Sequence, residues 1–198
     1  MTQLAPGFAD PVFAAQSTFR AVMEATARPG RIFDLAETVA APAPLSPGAA
    51  ALALTLFDQD TPVWLDAPLA DGADVAAWLR FHTRAPLVNA TDRAAFAVLS
   101  QPAEAPLFDA FAPGTAEYPD RSTTLILQVD RFEGGQTLAL TGPGIKERNT
   151  LHATPLPADF PRRLAANRAL FPRGIDLLLV TDAGVAALPR SVTLTDGA

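Results

Sequence analysis

Apolar residues at three- and four-residue spacing open the chain. Val12, Ala15, Phe19, Val22, Met23 and Thr26 predict an amphipathic helix with these residues on its apolar face. Asp10-Pro11 supplies the N-cap and first turn, and Pro29-Gly30 ends it. Arg31 to Leu35 reads as a short strand, and Ala41 to Pro47 as a Pro/Ala-rich connection. Ser46-Pro47 opens a second helix, Gly48 to Phe57, apolar nearly all round and therefore buried. Asp58 to Thr61 is a turn and Pro62 to Leu65 a short strand. Beyond the Asp71-Gly72 turn, Val75, Trp78, Leu79 and His82 share one helical face.

The second half is richer in strands. Phe96 to Leu99 reads as one, and Pro106 to Phe111 as a short helix closed by Pro113-Gly114. Ser122 to Val129, β-branched and apolar, is the clearest strand of the chain. The Glu133-Gly134-Gly135-Gln136 turn predicts a hairpin joining it to Thr137–Thr141. Pro157 to Leu170 is helical with Pro161 in its first turn. Ile175 to Val180 is a central strand buried on both faces, and Ala183-Gly184 turns into a last strand around Ala187 to Thr193. Strands that are apolar on both faces and alternate with helices predict a three-layer α/β/α domain spanning 1–198. The hairpin makes its sheet mixed.

Composition narrows the function classes. A formal net charge of -6 with no long basic run argues against nucleic acid as a partner. The absence of cysteine excludes disulfides, thiolate catalysis and iron–sulfur ligation by this chain. No apolar run approaches the roughly 18 residues of a membrane span, and Met1 to Leu4 has no basic flank before an apolar stretch. The expectation is a cytoplasmic protein without a membrane anchor. At 18% the charged fraction is low, which suits a surface partly covered by partners.

Candidate chemistry is sparse. The two histidines, His82 and His152, have no paired-ligand spacing for a metal. His82 ends a helix, where an imidazole commonly serves the dipole's negative end; a general base or an anion contact is the functional alternative. Thr141-Gly142-Pro143-Gly144-Ile145-Lys146 follows a strand, but lacks the Gly-Lys-Ser/Thr ending of a phosphate loop, so a turn is the better reading. Lys146 is the single lysine among 15 basic residues. Arg121, Arg173 and Arg190 stand beside Pro or Gly at strand edges, where they can grip a phosphonate, anchor a partner, or make ordinary capping contacts. Ser46, Ser122 and Thr123 lack a histidine neighbour, so no serine-nucleophile motif is present.

Several blocks together resemble the H subunit family of the bacterial carbon–phosphorus lyase system. They are Ser17 to Arg20 with Pro29-Gly30, Leu54 to Leu65, Leu79 to Pro86, Thr123 to Val129, Leu140 to Ile145, Phe171 to Leu178 and Leu188 to Arg190. The resemblance covers residues 13 to 195. It implies a fold like the large domain of pyridoxal-phosphate transferases, kept without that cofactor. It also implies a subunit of a complex that joins a phosphonate to the ribose of ATP and then cleaves the C–P bond. In that picture the G, I and J subunits carry the chemistry, and this chain contributes no catalytic residue, no cofactor and no metal. It is expected to form a homodimer when isolated. Two rivals stand beside the assembly-subunit reading: a phosphonate- or nucleotide-binding module, and a stand-alone transferase whose Schiff base only Lys146 can supply.

Overall fold

Three helices begin where their sequences dictate. In the computed structural model, which describes residues 4–37 and 39–195, the side chains of Asp10, Ser46 and Asp66 each accept a hydrogen bond from a first-turn N–H, and each cap is followed within two residues by proline. They start α1 (Pro11–Ala27), α2 (Pro47–Leu56) and α3 (Ala67–Asp71). Next come α4 (Ala73–Thr83) and, late in the chain, α5 (Phe160–Ala169). None of these helices is long and apolar enough to cross a membrane.

The strands are β1 (Ile32–Asp34), β2 (Val63–Leu65), β3 (Phe96–Leu99), β4 (Thr124–Gln128), β5 (Arg131–Thr141), β6 (Asn149–Thr154), β7 (Asp176–Val180), β8 (Gly184–Leu188) and β9 (Thr193–Leu194). A six-stranded sheet has the order β1-β8-β7-β4-β3-β2. β2, β3, β4 and β7 are mutually parallel, while β8 runs antiparallel to both β7 and β1. The sheet is mixed, as expected, but because of β8 rather than the expected hairpin. β4 has β3 on one edge and β7 on the other, so no edge is left for β5 to pair with. Gly134 and Gly135, both at positive φ, instead form an irregularity within β5, where the register shifts between Arg131 and Gln136. β5 pairs with β6 and β9 in a separate three-stranded antiparallel sheet.

The pleat sorts the strand residues into two cores. Val98, Ile126, Leu178, Val180, Val185 and Ala187 face α1, α2 and α4. Ala97, Leu125, Leu127, Leu177, Leu179 and Leu188 face the opposite way. That second face is covered by α5, the small sheet and the 3-10 turn Phe108–Ala110, so the expected third helical layer is largely β. The short helix expected at Pro106–Phe111 is that single 3-10 turn. The last strand divides in two: Pro189 has no N–H for the ladder, and the chain turns there before β9 joins the small sheet.

The apolar face of α1 is also corrected. Its buried residues are Ala14, Thr18, Ala21, Val22 and Ala25, while Val12, Phe19 and Met23 point outward. α1 packs on α2, β1 and β8 through small side chains, and its large ones are left in solvent.

One polar clamp closes the amino-terminal edge of the parallel strands. The Arg190 backbone N–H donates to Asp176 Oδ1 at 2.8 Å and its Nε to the same oxygen at 3.1 Å. Its Nη2 donates to Asp176 Oδ2 and to Ser122 Oγ, and its Nη1 to the Pro119 carbonyl. Behind it, buried Asn167 bridges α5 to the start of β7, donating to the Ile175 carbonyl and accepting from the Ile175 N–H.

Leu178→Ala is expected to cost about 2–5 kcal/mol in chemical denaturation, because the side chain is buried in an interior strand. A loss under about 1 kcal/mol is the behaviour of an exposed edge position and contradicts this placement. Arg190→Ala is expected to cost about 1.5–3 kcal/mol, since it removes the side-chain hydrogen bonds to Asp176 and Ser122. The same measurement checks it, with exposed Arg173→Ala near zero.

Candidate functional site

The five residues singled out by sequence do not form one site. His82, in the last turn of α4, packs in a tilted arrangement on Trp78 with ring centres 4.6 Å apart. The Ala5 carbonyl has no proton to give, so His82 Nε2 donates to it at 3.1 Å, beside the Trp78 indole N–H at 2.9 Å. The pair pins the N-terminal segment across α4, which is a packing role. Arg190 is engaged in the clamp. Arg121 lies in the 3-10 turn Pro119–Arg121 with its guanidinium 4.0 Å from the Tyr118 ring centre. Arg173 is exposed beside Gly174, at the same end of the sheet. These three arginines therefore gather at the amino-terminal edge of β4 and β7. Ligands of parallel α/β sheets sit at the carboxyl edge, so the location favours structural roles.

At the carboxyl edge the polar groups are satisfied internally. Buried Asp66 accepts from the N–H groups of Ser100 at 2.6 Å and Gln101 at 3.0 Å, and from the Ser100 hydroxyl. Gln128, at the end of β4, accepts from the Ser46 N–H at 2.7 Å and donates to the Pro44 carbonyl at 3.1 Å. Sequence reading passed over both residues. Among the described residues no group of three or more His, Cys, Asp or Glu side chains can hold a metal ion.

Lys146 is placed differently. The turn between β5 and β6 carries it against the C-terminal end of α1, where Arg28, Arg31, Lys146, Glu147 and Arg148 line a cavity of about 450 Å³. Two glycines let the segments meet. Gly144 has φ +81°, and a Cβ there would lie 2.2 Å from the Ala27 carbonyl oxygen. At Gly30, φ +76°, a Cβ would lie 2.4 Å from Leu140 Cδ1. The Asn149 side-chain amide donates to the Pro29 carbonyl at 2.9 Å and ties the walls together. Arg28 pairs with Glu24 one turn earlier. Among the described residues, Arg31, Lys146 and Arg148 have no ion-pair partner. Arg28, Arg31 and Arg148 were not singled out in the sequence. The signal available was basic residues flanking Pro29-Gly30 and following Gly142-Pro143-Gly144.

A second cavity of about 440 Å³ lies between α5 and the 3-10 turn at Phe108, walled by Leu107, Phe108, Ala166, Leu170 and Ile175. Arg163 closes its rim, bonding Asp159 at 2.7 Å and the carbonyls of Ala105 and Pro106. The hydrogen bond from Arg162, with a second from Arg163 and the charges of both, holds the Asp159 carboxyl below the usual carboxylate range despite desolvation.

Comparison with known proteins agrees with the residue blocks noted in the sequence. A family model described as bacterial phosphonate metabolism protein (PhnH) matches residues 6–195. The chain is 50% identical over 187 residues to the alpha-D-ribose 1-methylphosphonate 5-triphosphate synthase subunit PhnH of Rhizobium meliloti (strain 1021), covering 94% of this chain and 93% of that one. It is 37% identical over 78 residues to the putative C-P lyase subunit protein HtxG of Stutzerimonas stutzeri, covering 39% of this chain and 40% of that one. The chain belongs to the PhnH family of bacterial phosphonate metabolism proteins.

Proposed function

We propose that this protein is a non-catalytic subunit of the synthase complex named for its Rhizobium meliloti relative. In this reading it supports the transfer of a phosphonate to the ribose of ATP by partner subunits of the G, I and J types. The observation that carries the reading is the outer face of α1. Val12, Phe19 and Met23 are 62%, 50% and 55% exposed. With Gln16 between them they follow a four-three-four spacing, the seam along which one helix packs against another. Phe13 and Phe81 add exposed aromatic surface, at 71% and 68%. Solvent-facing aromatic and Met side chains of this kind mark interaction surfaces. The polar residues at the sheet edges are, by contrast, committed to holding the fold. The same seam suits a second copy, and the isolated chain is read as a homodimer that uses it.

Phe19→Glu with Met23→Glu should leave the chain folded, with a far-UV circular dichroism spectrum like the wild type's, because both side chains face solvent on the single chain. The double variant should sediment as a monomer where the wild type is heavier. It should fail to co-purify with the G, I and J partners. It should also fail to restore growth on methylphosphonate as sole phosphorus source to a strain lacking this protein, with growth on inorganic phosphate untouched. Full co-purification and rescue by the double variant would remove α1 as the docking face. Rescue of such growth without any copy of the gene would remove the pathway role.

The fold is further read as a relative of the large domain of pyridoxal-phosphate transferases that works without the cofactor. An internal aldimine needs a lysine shielded from water, and the single lysine, Lys146, is exposed and followed at once by Glu147, which favours the charged ammonium. Incubation with pyridoxal phosphate and borohydride reduction should therefore give at most slow, sub-stoichiometric label. A stoichiometric adduct on Lys146 with a visible aldimine band would revive the transferase.

A further inference from the structure

Around the cavity at the end of α1 the charge balance is the reverse of the chain's. The protein carries a formal charge of -6, yet Arg28, Arg31, Lys146 and Arg148 converge there from two segments more than a hundred positions apart. Glu24 neutralises Arg28, and one further carboxylate, Glu147, lies in the lining. Arg31, Lys146 and Arg148 therefore make the cavity a positive well on an acidic protein. Like charges held this close repel one another, and nothing in the packing of α1 against the β5–β6 turn requires them. The contacts that seat the two segments are made by Gly30, Gly144 and the Asn149–Pro29 hydrogen bond.

We infer that this cavity binds the phosphate chain of a small polyphosphorylated ligand. Its volume of about 450 Å³ lies within the roughly 300–1,000 Å³ of small-molecule sites. Its backbone walls are brought together by Gly30, Gly144 and the Asn149–Pro29 hydrogen bond, and its cations reach into a shared concavity from both sides. Two arginine forks and one lysine point charge are the donor set that recognises several phosphate oxygens at once. Among the described residues the lining offers a base no aromatic side chain, only Pro29, Ile145 and the arginine planes that the phosphate oxygens engage. Recognition therefore rests on the phosphate chain and not on an attached nucleoside. Inorganic triphosphate and the triphosphate of ATP are equivalent ligands by this argument, while a single phosphonate group engages too few of the cations. The inference concerns the isolated chain and does not depend on the assembly reading.

The test is isothermal titration of the full chain with sodium triphosphate, ATP and methylphosphonate, at low salt and at 0.3 M salt, with sulfate at matched ionic strength as the control. Triphosphate and ATP should bind with similar affinity, sulfate and methylphosphonate far more weakly, and added salt should weaken the binding. Lys146→Ala with Arg148→Ala should lower affinity about tenfold or more, and Arg173→Ala should not change it. Both altered residues are exposed and outside the packed core, so the double variant should unfold at the wild-type temperature. Unchanged affinity in the double variant would overturn the inference, as would binding of ATP without triphosphate, or sulfate binding as tight as triphosphate. A chain that ignores triphosphate, and whose double variant loses its partner subunits, would show that the cations meet an acidic protein surface instead.

Discussion

Burial of β4 and β7 on both faces is the constraint on which the rest of the structure depends. Leu125, Leu127, Leu177 and Leu179 point one way, and Ile126, Leu178 and Val180 the other, so each face needs its own cover. On one side the cover is helical and made largely of small residues. Gly48 opens α2 so close to the end of β7 that a Cβ there would lie 1.9 Å from the Thr181 carbonyl oxygen. Ala49, Ala50, Ala51 and Ala53 continue that close approach. α1 then packs on α2, with Ala21 and Ala25 in the same core as the α2 alanines. A helix that approaches through alanines has no room inside for phenylalanine. The large side chains of α1 are therefore displaced to its outer face, and the chain's apolar seam is a direct result of how tightly α2 sits on the sheet.

This explains what could and could not be read from the sequence. Element positions were mostly legible, because they follow from local chemistry: Asp10-Pro11 and Ser46-Pro47 cap helices, and the runs Ile175 to Val180 and Ser122 to Val129 can only be strands. Which face of α1 is inward was not legible. Periodicity finds two apolar stripes on that helix, one small and one large, and weighting by hydrophobicity chooses the wrong one. The Gly134-Gly135 turn failed for a related reason. Two glycines favour a hairpin locally, but the partners of β4 are chosen by sheet order, which brings in β3 and β7 from distant parts of the chain. With the hairpin misplaced, β6 went unseen, and with it the strand on which His152 pairs with Thr137.

Site residues divide along the same line. Arg190 was a reasonable candidate because it stands beside proline at the end of a strand, but the antiparallel return of β8 delivers it to Asp176, where its guanidinium is used up. His82 was recognised as the end of a helix and proved to be its lock on the N-terminal segment. Lys146 gained meaning only from company that no local reading supplies. Arg28 and Arg31 are about 115 positions away and arrive because α1 ends against the β5–β6 turn.

The division of labour among these groups bears on how such a chain works. Buried polar groups tend to be satisfied, and those at the edges of the six-stranded sheet find partners within the chain: Asp66 bonds the residues after β3, Gln128 the loop before α2, Asn167 the start of β7, and Arg190 the turn before β4. Those interactions hold the sheet edges rigid and leave their groups with no spare capacity for chemistry. The apolar seam and the cations of the cavity lie outside the six-stranded sheet, toward the two ends of α1. The seam begins near the N-terminus of α1 and the cationic cavity sits at its C-terminus, about 17 residues on. At 1.5 Å per residue that is a separation of roughly 25 Å. A partner seated along α1 therefore runs its own surface toward the mouth of the cavity. In the reading proposed above, docking and anion capture share one helix, so that whatever the cavity holds would be presented at the edge of the interface and not deep within this subunit.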